Sequence, residues 1–307
     1  MPKVKVVHTT EYRYRRPVRL SEHRLMLRPH DSHDLSLHDA TLGLTPPPLS
    51  IRWAHDVFGN SIAVVDFGDV ETDFLSIVST LDLEHFPVQA DLPPDPLAEN
   101  YPFTYAEIEL PDIQPLVLPE APDPDGIVNA WATGFLSQTG SSRTLDMLAA
   151  MTRAIKANFR YVGRESEGTN PALTTLATGA GTCRDFALLM MEACRALGLA
   201  ARFISGYLYV DALADNTDAV IGGGATHAWC AIYLPGAGWV EFDPTNGLIA
   251  GRNLIRVAVA RSPGQALPII GGYIGDETDF TGLTVDVQVE VGEPPIPDQT
   301  QSQTQLT

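Results

Sequence analysis

The sequence predicts an α+β protein made of a β-rich N-terminal domain, a Pro/Asp-rich connector and a second domain in which helices are followed by strands. Three observations carry this. Residues 3–90 hold short runs of Val, Ile, Leu, Tyr and Phe with partial alternation ("VKVVHTTEYRYR", "SIAVVDF", "DFLSIVSTLDLEHF"), the period of a half-buried strand. Residues 87–126 are dominated by proline and aspartate ("LPPDP", "LPDIQP", "LPEAPDPDG"). Beyond Gly126 the apolar period lengthens to that of a helix.

Taken in order, residues 1–90 form the β-rich domain, its runs separated by the turn signals "TPPPLS", "FGN" and "GDVE". Residues 91–126 read as an extended connector, because proline lacks the N–H that a helix interior or a central strand uses. The second domain spans 127–291. In it "SSRTLDMLAAMTRAIKANFRY" places Leu145, Leu148, Thr152, Ile155 and Phe159 on one helical face, with Ser141 or Ser142 available as the N-cap. A second helix starts at "GAGTCRDFALLMMEACRALGL", where Thr182 as N-cap puts Cys183 at N1 and Asp185 at N3 in a capping-box pattern. Phe186, Leu189, Met190, Ala193, Cys194 and Leu197 then mark its buried side. "GLAARFISGYLYV" follows as a strand, then a polar Gly-rich loop over 211–226 and two strand-like runs, "THAWCAIYL" and "GWVEFDPT", joined as a hairpin. Residues 292–307 have the Pro/Gln-rich composition of a disordered tail.

Charge narrows the partners. With 38 acidic and 20 basic side chains the formal net charge is -18, which repels phosphate backbones and anionic lipid surfaces. Peptide or protein partners are expected, with neither nucleic acid nor membrane, and the lack of a leader-like apolar run points to a cytoplasmic protein. Cys183, Cys194 and Cys230 are too few for a disulfide framework. "PHDSHDLSLHD" brings His30, His33 and His38 beside Asp31, Asp34 and Asp39, but the spacing fits neither a helix nor a strand face, and neither metal nor cofactor is predicted.

Cys183 asks for a chemical reading. At the first position of a helix, free N–H groups and the positive dipole end favour thiolate over thiol. Cys194, mid-helix, reads as core. A cysteine nucleophile needs an imidazole, and the imidazole needs a group to orient it. His227 opens a strand-like run, and a hairpin about Pro235-Gly236 in which paired positions sum to 470 sets His227 against Asp243, Trp229 against Glu241 and Ala231 against Trp239. A register shift of two keeps the face but loosens the contact. Glu241 shares the Asp243 face and competes for the orienting role. Cys230 alternates to the opposite face, away from His227. The small residues Gly179, Ala180 and Gly181 leave room for a substrate backbone, and Gly181, Thr182, Thr226 and Trp229 are expected to line the cleft, with the loop before Thr226 as one wall.

With these residues in hand, "GAGTCRDFA", "GLAARFISGY" and "HAWCAIYLPGAGWVEFDPTNG", in that order, resemble the transglutaminase-like superfamily of cysteine enzymes over roughly Leu145 to Gly247. "HTTEYRYRRPVRLSEHRLMLRPHDSHDL" resembles the β-rich N-terminal domain of a bacterial subgroup described as cysteine proteases. The resemblance implies a papain-like core, a nucleophile helix packed on an antiparallel sheet, with Cys183 as nucleophile, His227 as general base and acid, and Asp243 as orienting residue. It also implies acyl transfer through a thioester acyl-enzyme: hydrolysis of peptide or amide bonds if water accepts, transglutamination if an amine does. A non-catalytic peptide-binding module is the reading from another class. Hydrolysis is favoured by the subgroup, and no Asp/Asn/Gly run has calcium-ligand spacing. Where many relatives carry Glu two residues after the tryptophan of the histidine block, this chain has Ala231, which predicts a lost supporting hydrogen bond. The Cys183 backbone N–H and, second, the Tyr161 hydroxyl are the oxyanion candidates.

Overall fold

The alternation in the first 85 residues becomes two packed sheets. The computed structural model describes residues 2–86, 93–138, 140–164, 168–209, 221, 225–249 and 253–292. β1 (Lys3–Leu20), β3 (Leu35–Thr45) and β6 (Glu71–His85) pair antiparallel with β6 in the middle. β2 (His23–Arg28), β4 (Ser50–His55) and β5 (Ser61–Asp66) form a second sheet with β5 in the middle. The inward residues Val18, Leu25, Leu27, Val65, Leu75 and Ile77 make the core between them.

Both sheets are completed from the far end of the chain. Ile269–Ile270 pairs with β2, and Phe280–Gly292 runs antiparallel along β1 from Tyr14↔Phe280 to Lys3↔Gly292. This corrects the expectation that strands up to 291 extend the second domain: those over 269–292 belong to the N-terminal sheets. β1 would otherwise present a long row of unpaired donors and acceptors, and alternation alone does not say which sheet a strand joins.

Among the described residues five α-helices follow the N-terminal sheets: α1 (Leu110–Val117), α2 (Ile127–Thr133), α3 (Thr144–Asn158), α4 (Ala172–Thr178) and α5 (Cys183–Ala196). α1 lies inside the expected extended connector. Its first proline falls in the opening turn, where no N–H bond is lost, and Ile113 is buried. The connector is then clamped to α5: Glu192 accepts from the N–H groups of Glu120 and Ala121, and Arg195 donates to Leu116 O. α3 begins at Thr144, so neither Ser141 nor Ser142 caps it; Ser142 pairs with Tyr101 and its hydroxyl accepts from Ser137 N–H.

α5 packs on a five-stranded antiparallel sheet, ordered Leu248–Ile249, Gly238–Asp243, His227–Leu234, Ala201–Leu208, Leu254–Ala260. Leu189, Met190 and Cys194 meet Phe203, Cys230 and Ile232 on one face, while Ile204, Trp229 and Ala231 lie on the other. The fold is therefore α+β, a helix packed on an antiparallel sheet and preceded by a β-rich N-terminal region, as expected.

The two regions share their cores. Val4, Val6, Leu81 and Leu83 pack against Tyr207, Ile255 and Val257. His8 Nδ1 lies 3.0 Å from the Tyr207 hydroxyl and His85 Nδ1 2.9 Å from that of Tyr209. Among the described residues no helix is long and apolar enough to cross a membrane.

Candidate active site

The mouth of α5 is built by short-range geometry. Gly179, in the left-handed region at φ 59°, ends α4. Ala180–Gly181 then pairs in parallel with Arg160–Tyr161, which brings Tyr161 next to the helix start. Asp185, fully buried, accepts the Thr182 N–H at 2.8 Å, so the carboxylate half of the capping box forms. The Thr182 hydroxyl is buried without a partner among the described residues. Asp185 does more than cap: it accepts Asn170 N–H at 2.6 Å and a bidentate pair from Arg164 at 3.0 and 3.1 Å. The same carboxylate thus fixes the helix start and the segment that borders it.

Two glycine expectations change. A Cβ at Gly181 would fall 2.8 Å from Asp185 Cβ and 3.2 Å from Phe186 Cε1. Gly181 makes room for its own helix, and Gly179 ends the preceding one, so each glycine has a structural reason of its own.

The hairpin pairs Cys230 with Phe242, Ala231 with Glu241 and Leu234 with Gly238, so paired positions sum to 472. A three-residue loop, Pro235 to Ala237, closed by Gly238 at φ 72°, sets this register. His227 is therefore diagonal to Asp243. The contact is not loosened: His227 Nε2 stands 2.8 Å from Asp243 Oδ2, with both side chains at 0% exposure. Asp243 also accepts the N–H groups of Thr245 and Asn246 at 2.9 and 3.2 Å and the Asn246 side-chain amide at 2.8 Å. The "DPTN" turn wraps the carboxylate in donors. Asn246 further exchanges two hydrogen bonds with the Ile221 backbone, tying down the approach to His227. Residues 211–220 and 222–224, expected as a cleft wall, lie outside the described residues.

Trp229 is also corrected. It is 0% exposed, stacks on His227 with centroids 5.9 Å apart, and donates its indole N–H to Glu241 at 2.8 Å, so it is packed behind the imidazole. Glu241 does not compete for His227. It stands directly opposite Ala231 and supplies a carboxylate to the tryptophan from the facing strand. Thr182 is buried and Thr226 half-buried beside His227. Cys230 faces α5, and burial pushes its thiol well above the ordinary value; burial likewise pushes Cys194 up to about 12.

Burial disfavours a charged His227, but the charge and hydrogen bond of Asp243, followed by those of Cys183, outweigh it and hold the imidazole above its ordinary pKa. Burial likewise opposes ionisation of Asp243, and the charge of His227 and the surrounding donors overcome it, keeping the carboxyl below its usual range. Nδ1 of His227 makes no geometrically complete hydrogen bond among the described residues, although the Cys183 thiol acts on the same ring. Nε2 is held by Asp243, which leaves Nδ1 as the nitrogen able to exchange a proton with sulfur. Cys183 is itself 8% exposed. Burial, and next the charge of Cys183, push the Tyr161 hydroxyl up, so the two groups sense each other across the mouth. A thiol beside an imidazole oriented by a buried carboxylate has the parts of an activated nucleophile.

The histidine-rich stretch disperses. His38 lies near Glu84, His30 beside His55, and Asp34 pairs with Arg256; among the described residues no three ligand-type side chains gather as a metal site would require. Arg164, Asn246 and Arg256 were not singled out in the sequence. The "DPTN" turn signal points to Asn246, whereas Arg164 and Arg256 carry no local signal.

Residues 130–244 match the family described as the Transglutaminase-like superfamily, and residues 4–84 match the Bacterial transglutaminase-like N-terminal region. The chain is thus similar to the transglutaminase-like superfamily over most of the helices and of the five-stranded sheet, and to the N-terminal region of its bacterial form over most of the first two sheets. It is 28% identical to an uncharacterized protein of Mycobacterium tuberculosis, over 92% of this chain and 91% of the relative. It is 26% identical to another of Mycobacterium leprae, over 95% and 99%. A solved structure from Cytophaga hutchinsonii, described as a "Putative Cysteine Protease", shares the fold with a TM-score of 0.68 at 20% identity, over 96% of this chain and 92% of that one.

Proposed function

We propose that the chain is a cysteine-dependent acyl-transfer enzyme that hydrolyses peptide or amide bonds, with Cys183 as nucleophile, His227 as base and acid, and Asp243 as the orienting carboxylate. The observation that carries this reading is the fully buried 2.8 Å His227–Asp243 contact on a ring that also senses Cys183. The thiol proton passes to Nδ1 and sulfur attacks the carbonyl carbon, forming the C–S bond as the carbonyl electron pair moves onto oxygen. The Cys183 backbone N–H, a first-turn donor without an intrahelical partner and aided by the helix dipole, receives that oxyanion, with the Tyr161 hydroxyl as second donor. His227 then protonates the leaving nitrogen as the C–N bond breaks, leaving a thioester. Water gives its proton to His227, adds to the thioester and displaces sulfur.

Hydrolysis is the favoured outcome because water is always at hand, whereas an amine acceptor has to be bound to compete. The test is incubation of the wild-type protein and Cys183→Ala with a diverse peptide mixture and a tagged amine, read by mass spectrometry. Cleavage products and an acyl adduct on Cys183 are expected from the wild type only. Equal turnover by Cys183→Ala sinks the proposal, and incorporation of the tagged amine assigns the transglutaminase outcome.

A further inference from the structure

Behind the imidazole, on the sheet face opposite α5, a row of contacts runs from the site to the N-terminal region. Trp229 lies nearly parallel to His227, at an interplanar angle of 25°. Its indole N–H donates to Glu241 Oε2 at 2.8 Å. Glu241 Oε1 accepts from Arg256 Nη1 at 2.5 Å, and Arg256 Nη2 donates to the two oxygens of Asp34 at 3.0 and 3.3 Å. Asp34 immediately precedes β3 and so belongs to the N-terminal region. The row is shielded: Asp34, Glu241 and Arg256 side chains are 16%, 12% and 30% exposed.

The neighbouring strands are shaped to hold the indole. A Cβ at Gly206 would stand 2.8 Å from Trp229 Cη2 and 2.0 Å from Ile255 O, so only glycine fits beneath the ring. Ala231, paired with Glu241, leaves that carboxylate free to reach diagonally to the tryptophan. A buried indole N–H joined to a carboxylate has one favoured ring orientation, and the Arg256 guanidinium, itself held by both oxygens of Asp34, fixes the Glu241 carboxylate in turn through one hydrogen bond.

We propose that Glu241, Arg256 and Asp34 are positioning residues for the active-site imidazole: they fix the plane of Trp229, the stacked indole fixes the plane of His227, and the N-terminal region thereby shares in setting the site. This rests on the reading of Cys183 and His227 as the reacting pair. The charged groups that act on the ring directly are Asp243 and Cys183. Glu241 is paired with Arg256 and is not among those groups, so the row works through geometry. A rotated imidazole cannot present Nε2 to Asp243 and Nδ1 to sulfur together.

The test is a double-mutant cycle on the full chain, with the rate of Cys183 alkylation by iodoacetamide at neutral pH as readout and thermal unfolding measured in parallel. Glu241→Leu is expected to slow alkylation roughly tenfold and Asp34→Asn several-fold, with the double variant no slower than Glu241→Leu alone. Trp229→Phe keeps a ring but loses the N–H, so Asp34→Asn should have no further effect in that background. Where Glu241→Leu does not fold, Glu241→Gln takes its place in the cycle, with a smaller effect but the same loss of additivity. A reactive wild-type thiol with unchanged or multiplicative variant rates overturns this proposal alone. A wild-type Cys183 no more reactive than a free thiol overturns the proposed reaction as well.

Discussion

Only one of the four hydrogen bonds that Asp243 accepts comes from His227. In Asp243→Asn the new amide turns a donor toward donors, and the charge that holds the imidazolium disappears. We expect kcat/KM to fall roughly a thousandfold or more. The alkaline limb of the pH–rate profile should move to lower pH, because burial then prevails on the ring. A limb that stays in place would falsify the assignment of Asp243. The same pair gives stability a defined sign. The folded pKa of His227 is raised, so its contribution is complete below the ordinary histidine value and is lost as pH climbs through the folded value. That of Asp243 is lowered, so its contribution holds above the ordinary carboxylate value and is lost as pH falls. Calorimetry of Asp243→Asn should therefore show its largest Tm deficit at mildly acidic pH, between the ordinary carboxylate and histidine values. Cys183, His227 and Asp243 were legible in the sequence because a local signal places each: a helix cap, a strand start, and a proline that ends a strand. Trp229 was misjudged because its burial depends on Gly206 and Ile255, which lie on other strands.

At the level of elements, the start of α5 depends on two small features. Gly181→Ala drives a methyl group into Asp185 and Phe186, and urea unfolding should show a loss of about 1–3 kcal/mol. Asp185→Asn leaves Arg164 without its bidentate partner, and the loss should reach roughly 2 kcal/mol or more, with faster proteolysis between 164 and 170 as the accompanying sign. Unaltered cleavage there would mean that the carboxylate serves α5 alone. The capping pattern was readable, but its second use was not, since Arg164 is twenty-one residues away. The hairpin face was likewise readable from alternation. Its register was not, because the three-residue loop closed by the left-handed Gly238 moves the centre of the hairpin by one residue, which shifts the pairing by two and leaves His227 on the same side.

For the whole molecule, the junction between the two regions is acid-sensitive. Burial lowers the pKa of His8 to about 4; burial, only partly offset by Asp34, does the same for His85. Both are neutral in the folded protein and take up protons on unfolding. Stability should thus decline as pH drops from the ordinary histidine range toward 4, by roughly 3 kcal/mol per site. His8→Gln should flatten that decline in a pH series of denaturation curves; an unchanged slope would place the acid response elsewhere. Because Val4 and Leu83 share a core with Tyr207 and Ile255, one cooperative transition is expected in place of two. The change of texture near Gly126 was readable, yet no local pattern could show that residues 269–292 return to the first sheets, since that pairing spans nearly the full chain.

The return of Phe280–Gly292 to β1 also bears on biosynthesis. β1 leaves the ribosome early, but its outer neighbour is translated only after the helices and the five-stranded sheet, so a nascent chain carries an adhesive open edge throughout elongation. Chains terminated before Phe280 should aggregate, as light scattering would show. Chaperone capture of stalled chains should cease once residue 292 has emerged from the exit tunnel.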